Sequence, residues 1–403
     1  MPTVVVSYKR KVTLEPIYLD HNATTPVDPE VVEAMRPYFD GRFGNASSVH
    51  QFGRDAKVAL ESAREQIAAF INCEPSELYF TSGGTESDNI AVLGTAMQWQ
   101  GKKNHVVVGG TEHHAVLEPA EWLSQRYGLK FDRLPVDREG FASPEALERL
   151  ISDQTAIVSV MHANNETGTI QDIASLTAVT RKRGVLFHTD AVQSVGKISV
   201  DIKHLGVDML SLTGHKIYGP KGSGALFVRQ GVKISPLFHG GSHEKKRRPG
   251  TENVAGIVGL AKSLEIAGRR MAEDTAKLLS LSEHFTSNVL RAIPHTHLNG
   301  SRARRLPQTV SLSFAGAEGE SIVLNLDIEG IAVSSGSACT SGATEPSHVL
   351  VAMGIDRIVA QGAVRFSLGR STTREQIDYV LAKLPPIIER LRAMSPISPE
   401  ARS

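Results

Sequence analysis

The stretch Asp208-Met209-Leu210-Ser211-Leu212-Thr213-Gly214-His215-Lys216 decides how this chain is read. Asp208–Leu212 has the apolar character of a buried strand, and polar groups follow it at once. The same order of events occurs three more times upstream. His105–Val108 leads into Thr111-Glu112-His113-His114, Ala156–Met161 into Asn164-Asn165-Glu166, and Val185–Phe187 into His188-Thr189-Asp190. A fifth run, Gly224–Val228, follows a Gly/Pro turn. Helical patterns separate these runs from about residue 65 to 230, and that alternation predicts a largely parallel α/β sheet. Ligands bind outside the carboxyl ends of such strands. Four polar clusters at one edge therefore predict a single crevice.

The later chain changes character. A helical stretch with few breakers runs from about Val254 to Ile293. Gln308–Phe314 and Ile331–Ser334 then read as short strands, with helical segments near Ser347–Met353 and Arg374–Met394. This predicts a smaller α+β domain, with Tyr18-Leu19-Asp20 returning to it or lying at the junction. The expected division is 26–265 for the large domain, and 1–25 with 266–403 for the small one.

Composition narrows the function classes. The 403 residues suffice for two or three domains' worth of core, and 41% hydrophobic with 22% charged residues is ordinary for a folded chain. Forty-four basic against 43 acidic residues give no pull toward nucleic acid or an anionic membrane. The run Lys245-Lys246-Arg247-Arg248 reads as a solvated loop. Cys73 and Cys339 are far apart with no Cys-x-x-Cys, which argues against a disulfide framework or a zinc cluster. Reduced thiols point to the cytoplasm. The N-terminus lacks the apolar core of a signal peptide. No apolar run approaches the roughly 18 residues of a membrane span.

Each candidate residue has a chemical and a plain structural reading. Thr81-Ser82-Gly83-Gly84-Thr85-Glu86-Ser87 opens a helical pattern, where bare amides form an anion site. The same residues also suit an ordinary capped helix start. Lys216, just past a buried strand and among small residues, is placed to lose solvation and form a Schiff base, or is a turn lysine. A strand-end carboxylate such as Asp190 can hold a pyridine nitrogen protonated, or can cap the next turn. Gln193 offers a donor to a ring oxygen, or is a helix-surface amide. His113 or His114 can stack on an aromatic cofactor or move protons, and no third ligand is spaced for zinc. Arg365 and Arg370 are candidates for an α-carboxylate, and Arg365, after Ala363-Val364, is the better placed. Cys339 lies in Ser334-Ser335-Gly336-Ser337-Ala338-Cys339-Thr340-Ser341-Gly342, a stretch with almost no bulk. That setting predicts a mobile thiol suited to carrying sulfur, or an incidental loop cysteine. Cys73 looks like a helix-end core cysteine without a role.

Taken together, Ala23-Thr24-Thr25-Pro26, the 81–87 stretch, Asn164-Asn165-Glu166-Thr167-Gly168, the His215–Gly222 stretch and the Ser334–Gly342 loop resemble the cysteine desulfurases. These are fold type I enzymes dependent on pyridoxal 5'-phosphate (PLP), similar to class V aminotransferases, and the likeness runs from Tyr18 to about Ile387. It implies a mainly parallel seven-stranded sheet in a large PLP-binding domain. The small domain would carry the catalytic cysteine loop at about 334–345. By position, Lys216 would bind PLP covalently and His113 would stack on its ring. Asp190 would pair with the ring nitrogen and Gln193 with the ring oxygen. Asn165 would line both ring and substrate. Gly84, Thr85, Thr213 and His215 would bind the phosphate, joined across a homodimer by Thr251. Arg365 would hold the carboxylate of L-cysteine. Cys339 would take the sulfur as a persulfide, leaving L-alanine, and hand it to an acceptor or iron–sulfur scaffold protein. Thr213 stands where serine is frequent in the family, Ala46 where proline is, and His21 where Asn or Tyr is. None of these removes a catalytic group.

Overall fold

The computed structural model describes residues 16–335 and 345–396. A short strand, β1 (Ile17–Tyr18), opens it. Seven strands then form one sheet: β2 (Leu78–Thr81), β3 (His105–Gly109), β4 (Lys130–Leu134), β5 (Thr155–Ser159), β6 (Leu186–Asp190), β7 (Met209–Thr213) and β8 (Gly224–Val228). Their spatial order is β2-β8-β7-β6-β5-β3-β4. From β4 to β7 the neighbours run parallel, whereas β8 is antiparallel to both β7 and β2. The stretch between β7 and β8 is too short for the crossover that a parallel neighbour needs, so the chain returns antiparallel.

Every residue of β2, β3, β5, β7 and β8 is buried. Strands covered on both faces read as continuous apolar runs, which is why most of them are legible in sequence. The edge strand β4, Lys-Phe-Asp-Arg-Leu, buries only Leu134. Its charges mask it. Two expected bounds move. The run Ala156–Met161 stops pairing at Ser159, and Val185–Phe187 extends to Asp190. His188, Thr189 and Asp190 pair with Met209, Leu210 and Ser211, so the polar cluster is the end of the strand itself.

The second sheet is antiparallel. Its members follow in the chain as β9 (Thr296–Leu298), β10 (Thr309–Phe314), β12 (Ser334–Ser335) and β13 (Ala363–Ser367), with β11 (Ile331–Ala332) before β12. The expected single strand Ile331–Ser334 is thus two, because β11 pairs with β1 and β12 with β13. Asp20 also bridges to Ser367, so the Tyr18–Asp20 segment joins this side.

One helix, Val254–Ala292, belongs to both cores. At about 1.5 Å per residue it is roughly 60 Å long. Its Ile257, Leu260 and Leu264 pack with the large sheet. Leu278, Leu281, Phe285 and Val289 pack with the second. Truncating fully buried Phe285 to Ala would cost about 3–5 kcal/mol.

The basic run is not simply solvated. Arg248 pairs with Glu86 at 2.7 Å, and Arg247 lies over the Tyr79 ring. Just before it, buried Glu244 accepts from Arg64 and from the Phe80 amide. Glu244, Lys245 and Lys246 all hold positive φ (44°, 55° and 65°). Such backbone persists only where its surroundings hold it. The buried Arg64–Glu244 pair and the two arginine contacts do so here.

Candidate active site

The carboxyl ends of β3, β5, β6 and β7 open into a cleft of about 810 Å³. Gly84, Thr85, His113, Asn165, Asp190, Gln193, Thr213, His215, Lys216 and Arg365 all line it. Residues up to 281 positions apart in the chain (84 and 365) thus meet at one place. Thr251 is exposed and does not line the cleft. Cys339 lies outside the described residues.

Lys216 ends the short turn Gly214–Lys216 that follows β7. Its Nζ donates to the backbone oxygens of Asn22 at 2.5 Å and Ala23 at 2.7 Å. Asn22 is a hub that sequence reading does not single out. It is 1% exposed. Its Nδ2 donates to Thr309 Oγ1 and to the Asn165 oxygen, and its own oxygen also accepts from Gln193 Nε2 at 2.9 Å. Its place directly before Ala23-Thr24-Thr25-Pro26 is the one signal in the sequence. What it ties together needs the fold.

Asp190 is the last residue of β6, and its Oδ1 accepts from the Val192 amide at 2.8 Å. Burial pushes its carboxyl up to about 6, while the Val192 bond and the Lys216 charge pull the other way. Two more buried carboxyls share this region and were not anticipated. Asp88 also lines the cleft. Burial, then the charge of Asp190, holds it well above the usual carboxylate range. Glu112 is raised chiefly by burial too, and its Oε1 accepts from the Met161 amide. Behind them His188 joins Ser159 and Ser211 through its two ring nitrogens, at 2.8 and 2.9 Å. Burial lowers it to about 3, so the ring is neutral.

His113 caps the helix His114–Tyr127, its Nδ1 accepting from the Ala115 amide at 3.1 Å. That bond leaves the proton of the neutral ring on Nε2. Burial first, then the Lys216 charge, lowers His113 to about 4, and His215 falls likewise. Both are neutral at pH 7.

Arg365 and Arg370 separate clearly. Arg365, on β13, is 5% exposed and donates to Asp20 Oδ1 at 2.9 Å and to the Asn165 oxygen at 3.0 Å. Its buried Nε has no partner among the described residues. Arg370 instead stacks on Tyr218 and pairs with Asp274 at 2.7 Å, holding segments together. Glu166 beside Arg365 is buried, raised to about 7 by that burial, and accepts from Ser347 Oγ.

These residues suit PLP. Gly83, at φ 155° and ψ −172°, takes a conformation essentially open to glycine alone. A Cβ on Gly84 would stand 2.6 Å from Val192 Cγ2, so a side chain there would have to push Val192 away from the helix start. The helix N-terminus there suits a phosphate, Asp190 a ring nitrogen, Lys216 an aldehyde, and the orphaned Arg365 Nε a substrate carboxylate. Among the described residues no metal-binding group of His, Cys, Asp and Glu occurs. No described helix is long and apolar enough to cross a membrane.

Comparison with known proteins places the chain in a family. The aminotransferase class-V family matches residues 17–380. Cysteine desulfurase IscS of Dictyoglomus turgidum is 49% identical over 95% of this chain and 97% of its own length. Cysteine desulfurase NifS of Azotobacter vinelandii is 45% identical over 94% of each. A solved NifS-like protein superposes with a TM-score of 0.88 at 39% identity, over 93% of this chain and all of that one.

Proposed function

The chain belongs to the aminotransferase class-V family as a cysteine desulfurase, and from that premise we propose a PLP-dependent reaction that moves sulfur from L-cysteine to Cys339 and on to an acceptor protein. The observation that carries this reading is the single cleft holding Lys216, Asp190, His113 and Arg365.

When bound, PLP supplies an aldehyde for amine exchange and a ring that takes up the electron pair released at the substrate Cα. Gly84, Thr85, Thr213 and His215 would hold its phosphate, and Asp190 and Gln193 its ring. Arg365 binds the α-carboxylate of L-cysteine and so fixes the Cα–H bond relative to Lys216. Lys216 Nζ removes the α-proton and returns it. Neutral His113 carries a proton at Nε2 and can pass it to the departing group. The Cys339 thiolate attacks the substrate sulfur. An S–S bond forms, the Cβ–S bond breaks with its electron pair left on carbon, and that carbon is protonated to give L-alanine.

The exposed Thr251 fits a homodimer in which it completes the partner subunit's phosphate site, on a loop pinned by Arg248–Glu86. The acceptor reading is an iron–sulfur cluster scaffold, in the cytoplasm. The test adds L-cysteine and measures L-alanine together with persulfide on Cys339. Alanine without that persulfide defeats the reading.

A further inference from the structure

Lys197 is a second lysine beside the site. It does not line the cleft, but lies behind it on a hollow of about 40 Å³ that it shares with Lys216. Its Nζ donates to Gln193 Oε1 at 2.8 Å. Gln193 is 4% exposed, lines the cleft and donates through Nε2 to the Asn22 oxygen, the same atom that accepts from Lys216. Lys197, Gln193, Asn22 and Lys216 therefore form one chain of hydrogen bonds.

The direction of that chain matters. An amide can turn either end toward a neighbour, but the backbone carbonyl of Asn22 can only accept, so it takes the NH2 end of Gln193. The atom of Gln193 that meets Lys197 is therefore its oxygen. The NH2 group is then turned the other way. One of its hydrogens goes to Asn22, and the other is directed to whatever acceptor the cleft holds. Resting on the PLP reading above, we propose that Lys197 is a positioning residue that locks Gln193 as a donor toward the bound cofactor's ring oxygen. It acts from behind the site and touches neither cofactor nor substrate. A lysine here is not a casual surface charge, because burial, then the charges of Lys216 and Arg365, lower its affinity for a proton. The Gln193 oxygen is the side-chain acceptor that meets its Nζ.

A double-variant cycle tests this in the PLP-loaded protein, reading the rate of PLP release to a scavenger and the pH midpoint of the cofactor's visible band. Lys197→Met and Gln193→Leu should each speed release roughly tenfold, the order expected for losing a charge-assisted or cofactor-facing hydrogen bond. The double variant should release no faster than Gln193→Leu alone, and Lys197→Arg should restore most of the loss. If Lys197→Met fails to fold, Lys197→Ala serves the same cycle. Additive effects, or a neutral substitution at 197 that leaves release unchanged, overturn the proposal. A Gln193→Leu variant with normal release and spectrum would instead strike at the assignment of Gln193 itself.

Discussion

At the carboxyl edge of the seven-stranded sheet, functional groups are carried by strand ends or by residues close behind them, as with Asp190, Lys216 and His113. The four-stranded sheet meets the same cleft differently, placing there one arginine from the middle of β13 and, through the Ser367 hydroxyl that accepts from the Asn22 amide, the Asn22 hub. On the first side the side chains are set by a largely buried scaffold of strands. On the second they are set by long-range hydrogen bonds between segments hundreds of residues apart. The division suits the chemistry. Proton transfer at Cα needs groups held to a fraction of an ångström, while substrate recognition and a sulfur-carrying thiol need approach from outside.

Removing groups from the first side should have the largest effect. Lys216→Ala is expected to abolish the visible cofactor band and to cut alanine formation by roughly 10⁴-fold, the upper range for a positioned proton-transfer group. Retention of the band refutes the lysine assignment. Cys339→Ser tests the sulfur-transfer step. It should abolish persulfide and sulfide release while cofactor absorbance persists, and normal turnover would sink the sulfur-transfer step. Next come the two arginines. Arg365→Ala should raise KM for L-cysteine by roughly 10- to 100-fold, as loss of a charge-assisted carboxylate contact implies. Arg370→Ala should leave KM near normal and lower the denaturant midpoint, since Arg370 clamps Tyr218 and Asp274. The reverse pattern would break the comparison.

A smaller effect should follow pH. The raised carboxyl of Asp190 is ionised above about 6 and protonated below. PLP binding to the cofactor-free protein should therefore weaken as pH falls through about 6, by up to about tenfold per pH unit below it. A binding titration from about pH 5 to 8 checks this, and a flat profile removes Asp190 as the ring-nitrogen partner. The smallest effect belongs to Cys73, whose thiol is pushed up to about 12 by burial, then by the Glu77 and Glu74 charges. Cys73→Ala should leave desulfurase activity unchanged, measured as alanine released.

Much of the cleft was legible because a strand buried on both faces shows itself as an apolar run, and the polar group behind it shows the edge. That logic reaches His113, Asn165, Asp190 and Lys216 directly. It misses β4, where an edge strand carries charge, and β2, which has only four residues. It reads the loop before Thr251 only in part, because a run of four basic residues carries no sign that Arg64 will bury Glu244 beside it. Asp88, Glu112 and Lys197 escaped for a related reason. Each is an ordinary charged residue in sequence, and only its neighbours make it unusual.

The chain by itself therefore determined the α/β class, the parallel edge that hosts the site, and the residue types collected there, since all of these follow from local periodicity and strand-end chemistry. Tertiary structure alone decided which of two arginines is left with an unpartnered buried nitrogen at the cleft, that Asn22 binds Lys216 and Gln193 through one oxygen, and which way the Gln193 amide faces. These outcomes depend on distances between residues far apart in the chain and on burial that raises or lowers a charge. Neither quantity is written in the order of the residues.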